Sequence, residues 1–156
     1  LPGVPYKVPD TTKKARVKAS SGDAEAVRDG WNRPVGDIPH CWEGKAGDFL
    51  EYEWDRPVKL KEARLAFDSD LNRTRFNIVS IRMLDQPDFE IPKGLVKDFE
   101  LQHRTSDGKW LTLGRVEGNH QRLVTLDFAC VTCAVRLLPL STHGDEKIRI
   151  FRWEVE

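Results

Sequence analysis

Apolar and polar residues alternate along much of this chain, beginning most clearly after residue 48. Leu50, Tyr52 and Trp54 lie on one side of an extended segment, with charged residues between them. This period of two is typical of a strand with one buried face. A second alternating run occupies residues 58–67, and the residues Asp55-Arg-Pro57 between the two runs predict a tight turn.

The same alternation predicts most of the secondary structure. Helical signals are rare: only Ala24–Arg28, after the polar segment Ser20–Asp23, has the features of a capped turn, which would end at Gly30. Frequent turn residues between short strands favour an all-β fold, an antiparallel β-sandwich of the jelly-roll type, formed by one domain over residues 1–156. We predict strands at about 15–20, 48–54, 58–67, 97–105, 109–116, 122–128, 134–139 and 147–155.

The apolar positions of these strands predict the hydrophobic core. Phe99 and Leu101 share one face of their strand, so they are expected to be buried together. The predicted core residues are Leu50, Tyr52, Trp54, Leu65, Phe67, Phe99, Leu101, Leu113, Leu126, Phe128, Val135, Leu137, Ile150 and Trp153.

Chain direction divides the connections between the two ends of such a sandwich. Because successive antiparallel strands reverse direction, successive connections fall at alternate ends. Short connections at 55–57, 106–108 and 129–133 are predicted at one end. The longer and more decorated connections at 31–46 and 68–95, with those at 118–121 and 140–146, are predicted at the other, which we call the loop end.

Side chains at the loop end suit a sugar ligand. An aromatic ring such as that of Trp42 or Trp31 can cover the apolar face of a pyranose, while arginine, asparagine and histidine bond its hydroxyls. Two alternatives remain open: Trp42 is a core residue, or the arginines form salt bridges that order the loops. The candidate ligand-binding residues are His40, Trp42, Asn72, Arg73, Asn119, His120 and His143.

Charge and hydropathy narrow the classes of partner. The 25 basic and 25 acidic residues cancel, so the chain has no general electrostatic attraction to nucleic acid. No apolar run reaches the length of a membrane span. The chain begins at Leu1 rather than methionine, and we expect it to be a piece of a larger protein. Its N-terminus does not give the compartment; we favour an extracytoplasmic location, periplasmic or secreted.

Cysteine chemistry and catalysis have little support in the sequence. Cys130 and Cys133 have the spacing of redox and zinc motifs, but no second ligand pair accompanies them, and Cys41 leaves an odd count. We interpret the pair as small residues near a strand connection, and a redox role stays open. No phosphate-binding glycine loop, nucleophile elbow or metalloprotease motif is present, so we predict that the chain is not an enzyme.

Several motifs carry a family resemblance. Ala19-Ser-Ser21, Ala26-Val-Arg-Asp-Gly30 and Gly47–Pro57 resemble the opening of discoidin-type, galactose-binding-like domains, a superfamily that includes many bacterial carbohydrate-binding modules. Leu65–Arg73 and Gly118–Leu123, with Thr142–Arg152, resemble the C-terminal domain of certain bacterial FAD-dependent oxidoreductases.

The resemblance implies two functions. The first is a non-catalytic module that binds a glycan or polysaccharide and targets an attached catalytic domain to it. The alternative is a structural accessory domain of an FAD-dependent oxidoreductase, with no glycan binding and with the flavin bound outside this chain. The superfamily also implies a structural calcium, for which Asp29 and Glu154 are the counterparts here. We assign no metal ligands from the sequence, because calcium needs six to eight oxygens.

Overall fold

The alternating segments form an antiparallel β-sandwich, which confirms the predicted fold class. The computed structural model describes residues 4–69 and 91–156. A five-residue helix, α1, precedes the strands, and a 3₁₀ turn follows the first strand. The helical elements are α1 (Asp10–Lys14) and the 3₁₀ turn (Ala24–Arg28); the strands are β1 (Arg16–Ala19), β2 (Trp42–Gly44), β3 (Leu50–Phe67), β4 (Val96–Arg104), β5 (Trp110–Val116), β6 (Leu123–Thr142) and β7 (Ile148–Val155).

Two long strands, β3 and β6, belong to both layers of the sandwich. The first half of β3 pairs with β1 and with the second half of β6, which continues through β4 to β5. The second half of β3 pairs with the first half of β6 and with β7, which continues to β2. Tyr52 stacks on Trp153 across the layers with 4.3 Å between ring centroids, and Phe67 meets Phe99 at 5.1 Å.

The predicted turn at Asp55-Arg-Pro57 is wrong, because β3 runs through it without a break. The pairing register shifts between Glu53 and Val58, and the three residues of the expected turn are exposed. Proline lacks a backbone donor and is tolerated where a strand ladder is interrupted. The predicted connection at 129–133 is likewise part of a continuous strand, since β6 spans it. Bulged strands that change layers form the corner here.

Burial of the alternating positions largely confirms the predicted core. Phe99 and Leu101 are buried together, as expected. Leu113, Leu126 and Phe128 are only partly buried, and they pack against the edge of the core. The other predicted core residues are all buried: Leu50, Tyr52, Trp54, Leu65, Phe67, Val135, Leu137, Ile150 and Trp153.

The helical elements are short. The predicted turn at Ala24–Arg28 is present as 3₁₀, with the Asp23 side chain accepting the amide of Glu25. Helix α1 was not predicted; its buried Thr12 hydroxyl donates to the carbonyl of Val155 at 2.7 Å and accepts that residue's amide at 2.9 Å. This pair of bonds holds the N-terminal segment on the last strand. None of the helices in residues 4–69 and 91–156 is long and apolar enough to cross a membrane.

A buried carboxylate is neutralised on the outer face of the β3–β6 layer. Glu51 is almost fully buried, and its two oxygens meet Lys18 Nζ at 3.0 Å and Arg136 Nη2 at 2.9 Å. The Arg136 guanidinium lies between two rings, 4.2 Å from the Phe49 centroid and 4.1 Å from that of Trp110. Arg136 therefore forms a charge-assisted hydrogen bond with Glu51 and cation–π contacts with two aromatic rings.

The three cysteines are free. Cys130 and Cys133 lie three residues apart in one strand, which separates their Cα atoms by about 10 Å and turns their side chains to opposite faces. That separation is too great for a disulfide. The sequence placed this pair near a connection between two strands, whereas the structure places both cysteines inside the continuous strand β6.

Burial raises the pKa of the Cys41 thiol to about 11, above its ordinary value of 9.0. At pH 8 the thiolate fraction of native Cys41 is therefore about a hundredfold lower than that of a thiol with the ordinary pKa. A more basic thiolate is also a stronger nucleophile, and this offsets part of the loss in reactivity. We expect native Cys41 to react with iodoacetamide at least about tenfold more slowly than in the urea-unfolded chain, and to accelerate up to pH 11. Peptide mass spectrometry would measure the rates; equal rates would contradict the claimed burial.

Candidate functional site

Hydrogen bonds gather the decorated connections at the loop end of the sandwich. The amide of His143 donates to the carbonyl of Leu95 at 3.1 Å, which joins the connection after β6 to the segment before β4. Arg122 Nη2 donates to the carbonyl of Asn32, which joins the start of β6 to the segment after the 3₁₀ turn. Residues far apart in the sequence thus form one surface.

The corner at which β3 and β6 change layers lies at the opposite end of the sandwich, together with the short turns. Thr132 donates to the carbonyl of Arg104 at 2.9 Å, and Arg104 pairs with Glu53 at 3.3 Å. Arg16 pairs with Asp55 at the same corner. These contacts agree with the predicted division of the connections, because a strand that bends into the other layer reverses the course of the chain as a turn would.

An Asp-Gly turn fixes Trp31 at the loop end. Gly30 has a φ of 94°, a left-handed conformation that glycine adopts without steric cost. The Asp29 carboxylate accepts the amide of Trp31 at 2.9 Å and contacts His40 Nδ1 at 2.6 Å. The His40 ring in turn lies 5.5 Å from the Trp31 ring. Asp29 therefore holds the backbone of Trp31, and the half-buried indole contacts the His40 ring.

An open depression of about 380 Å³ lies beside Trp31. Tyr6 forms part of its wall, held by its own amide, which donates to the carbonyl of Gly30 at 2.7 Å. Burial raises the Tyr6 pKa well above its ordinary range, so the phenol is neutral, and its hydroxyl donates to the carbonyl of Val27 at 3.5 Å. The lining residues are Val4, Tyr6, Gly30, Trp31, Asn32, Arg33 and Arg122.

Two guanidinium groups, those of Arg33 and Arg122, line this depression, and neither lies within ion-pair distance of a carboxylate of residues 4–69 or 91–156. Arg122 is half-buried, its Nε atom has no hydrogen-bond partner in the structure, and Arg33 is exposed nearby. Burial is the main cause that lowers the Arg122 pKa; Asp68 opposes the shift, and Arg33 adds to it. Asp68 is itself engaged by Arg149, at 3.4 Å. Arg149 is therefore neutralised by a salt bridge, whereas the depression lined by Arg33 and Arg122 stays cationic.

A histidine pair occupies another part of the loop end. The rings of His120 and His143 stack at 5.4 Å, and His143 Nε2 contacts the carbonyl of Asn119 at 2.6 Å. His120 is exposed and His143 half-buried. The Asn119 side chain is buried, and its amide donates to the carbonyls of Val96 and Gln121 at 2.9 and 2.8 Å. Asn119 therefore orders the loop and is not available to a ligand.

The expectation that Trp42 covers a sugar ring is also corrected. Trp42 has no exposed surface, and its indole Nε1 donates to the carbonyl of Ser21 at 2.6 Å. It is a core residue, the alternative that the sequence left open. A run of three residues in β2 is too short for its periodicity to show which side of the strand is buried.

The other candidate residues have different placements. His40 supports Trp31 from behind, while His120 and His143 lie together beside Asn119. Asn72 and Arg73 lie outside the described residues. Sequence reasoning missed Tyr6 and Arg33, since neither belongs to a motif. Contacts of Tyr6 with Val27, Gly30 and Arg152, all distant in the sequence, bring the N-terminal segment to the depression.

The two counterparts of a calcium site have other partners. The Asp29 carboxylate is occupied by the amide of Trp31 and by His40. Glu154 is buried against Arg152, and burial raises its pKa. The described residues contain no group of three or more acidic, histidine or cysteine side chains that could hold a metal ion.

Solved structures with a similar fold include carbohydrate-binding modules. The family 32 module of EndoD from Streptococcus pneumoniae is 16% identical, with a TM-score of 0.67 over 91% of this chain and 94% of that chain. Chitosan-binding module 2 of a chitosanase/glucanase from Paenibacillus sp. IK-5, in complex with chitotriose, is 11% identical, with a TM-score of 0.64 over 91% and 95% of the chains.

A third module extends the comparison to almost the whole chain. The family 32 module of AlyQ, in complex with 4,5-unsaturated mannuronic acid, is 12% identical, with a TM-score of 0.59 over 99% and 98% of the chains. At these identities the comparison shows the fold alone, a β-sandwich that this chain shares with these carbohydrate-binding modules. No protein-family model matches the chain, and comparison with curated protein sequences finds no match.

Proposed function

We propose that this protein is a non-catalytic glycan-binding module that binds its ligand in the depression beside Trp31. The observation that carries the proposal is a half-buried indole, in contact with the His40 ring, that forms one wall of an open cleft among hydrogen-bonding groups. The fold shared with carbohydrate-binding modules supports it.

The chemistry of the lining matches a sugar. A pyranose has an apolar face of C–H groups, which an indole ring covers, and a rim of hydroxyls, which Asn32 and Arg122 can bond directionally. Because Trp31 is fixed before a ligand arrives, little conformational entropy is lost there on binding. Sugar hydroxyls give up water to bind, so the net gain is small and we expect affinities in the micromolar to millimolar range.

The remaining members of the candidate set fit as secondary contacts. The exposed His120 ring, stacked on the half-buried His143, would contact a further sugar unit. Asn72 and Arg73 stay predictions, because they lie outside the described residues. We also propose that the module targets an attached catalytic domain to its glycan, with the chemistry performed by that partner.

Loss of the Trp31 ring is expected to abolish most of the binding. Stacking and the burial of apolar area should together contribute about 1.4 kcal/mol or more, so Trp31→Ala should weaken affinity at least about tenfold. A glycan array would identify ligands for the parent protein, and titration calorimetry would compare the variants. Trp110→Ala is the matched control, since Trp110 is a half-buried tryptophan at the opposite end.

The two functional hypotheses separate in the same experiment. Equal affinity of Trp31→Ala and the parent for an identified glycan would show that the site is elsewhere. If the array finds no ligand while the folded domain binds an FAD-dependent oxidoreductase tightly, the accessory-domain hypothesis replaces the glycan-binding one. Near-ultraviolet circular dichroism of each variant would verify that the fold is intact.

A further inference from the structure

We infer that the ligand of the Trp31 depression is an acidic saccharide, whose carboxylate or sulfate group is held between Arg33 and Arg122. This inference rests on the proposed function and adds to it the chemical class of the sugar. It begins from the charge balance of the depression, which differs from that of the chain as a whole.

The chain is neutral overall, yet the depression is cationic. The 25 basic and 25 acidic residues cancel, and most arginines in the part of the chain that the structure describes lie within ion-pair distance of a carboxylate. Arg33, Arg56 and Arg122 are the described arginines without such a partner. Arg56 lies exposed at the corner of β3, whereas the other two line the same cleft.

The state of Arg122 shows a specific hydrogen-bonding deficit. Its guanidinium is half-buried and bonds the carbonyl of Asn32 through Nη2, while its buried Nε has no hydrogen-bond partner in the structure. A guanidinium has five donors, and leaving them unmade in a partly desolvated place is costly. Nε itself is buried, so an anion placed in the cleft would meet the part of the Arg122 guanidinium that lines it.

Arg33 makes the site selective for charge. Burial is the main cause that lowers the Arg122 pKa, Asp68 opposes it and Arg33 adds to it, so the two cations that line the cleft repel one another. A ligand carboxylate would relieve that repulsion and accept charge-assisted bonds from both, in the planar geometry that guanidinium groups favour. The Asp68 carboxylate attracts Arg122 from a distance, but Arg149 engages it at 3.4 Å.

Trp31 assigns the anion to a saccharide. A cation pair alone would accept any phosphate or carboxylate, but this pair shares its cleft with the wall of Trp31 and Tyr6. The ring face of a uronic acid or a sulfated sugar offers C–H groups to the indole and an anionic group at its rim. One ligand of this class therefore satisfies both the aromatic and the cationic walls.

The test uses matched ligands. Oligosaccharides of several uronic acids would be compared by calorimetry with their carboxyl-reduced, neutral counterparts and with sulfated oligosaccharides of similar length. We expect the acidic ligands to bind at least about tenfold more tightly than the neutral ones, since hydrogen bonds to charged groups are the stronger class. Raising the salt concentration should weaken only the acidic ligands. The relative affinities of carboxylate and sulfate forms identify the anion.

Variants of the two arginines complete the test. Arg33→Gln and Arg122→Gln should each reduce affinity for the acidic ligand about tenfold or more and change affinity for the neutral counterpart less than about threefold. Arg56→Gln is the matched control, because it removes an unpaired arginine at the opposite corner. Arg33 is exposed, so its variant should fold normally even if that of Arg122 does not.

The outcomes separate this inference from the proposed function. If neutral glycans bind as tightly as acidic ones and Arg33→Gln has no effect, the acidic ligand class is wrong while glycan binding stands. If neither neutral nor acidic glycans bind, the proposed function itself fails. Binding of acidic ligands that Arg33→Gln and Arg56→Gln weaken equally would show a general charge effect, and would overturn the assigned site.

Discussion

Replacing Trp42 with alanine is expected to lower the free energy of unfolding by about 3–5 kcal/mol. The indole is fully buried and packs so closely against β2 that a Cβ atom at Gly44 would lie 2.3 Å from its ring. Truncation would open a large cavity and leave the carbonyl of Ser21 without its donor. Denaturant unfolding followed by tryptophan fluorescence and circular dichroism would measure the change.

The control for this prediction is the other tryptophan that the sequence offered as a ligand contact. Trp31 is half-buried at the loop end, so Trp31→Ala should cost less than about 1.5 kcal/mol of stability while it weakens glycan binding. The two variants should therefore have opposite profiles: one unstable, the other stable and deficient in binding. A loss of less than about 1 kcal/mol for Trp42→Ala would refute the packing described here.

Removing the guanidinium of Arg136 is expected to cost about 3 kcal/mol of stability. Arg136→Met keeps much of the aliphatic contact with Phe49 and Trp110 but leaves the buried carboxylate of Glu51 with Lys18 alone. Breaking a buried ion pair from one side is strongly destabilising because the remaining charge stays desolvated. Urea unfolding at neutral pH would give the difference.

A double variant tests whether the unpaired charge of Glu51 causes the loss of stability in Arg136→Met. Replacing both members, Glu51→Leu with Arg136→Met, should restore most of the lost stability, since a well-packed apolar pair has no charge to desolvate. Arg115→Met is the matched control: its ion pairs with Glu100 and Glu117 are more exposed and should be worth less than about 1 kcal/mol. If the double variant is as unstable as the single one, charge is not the cause.

Strand content and core were predictable because periodicity reports burial directly. Tyr52 and Trp54 alternate with charged residues, and both are buried as the pattern indicated. The segment Asp55-Arg-Pro57 misled the prediction for a physical reason: exposed charged residues and proline suit a turn and a bulged corner equally well. Sequence alone does not separate these two structures, since both expose the same residues and interrupt the same ladder.

The candidate site was less predictable than the fold. Trp31 sits at an Asp-Gly turn, which the sequence marks, and its supporting contact with His40 joins residues of one connection. The placement of Tyr6 and Arg122 around that tryptophan depends on contacts between distant segments, which no local pattern encodes. Trp42 was misassigned because a short edge strand has too few positions to show a period.

The corner formed by β3 and β6 has a consequence for how the protein unfolds. Each of these strands contributes hydrogen bonds to both layers, so one layer cannot separate from the other without breaking its own ladder. Two layers joined only by loops could open one at a time, whereas here the covalent continuity of the strands couples them. Opening of the β4–β6 ladder and of the β3–β7 ladder should thus be one cooperative event, and their amide protons should exchange with a common free energy.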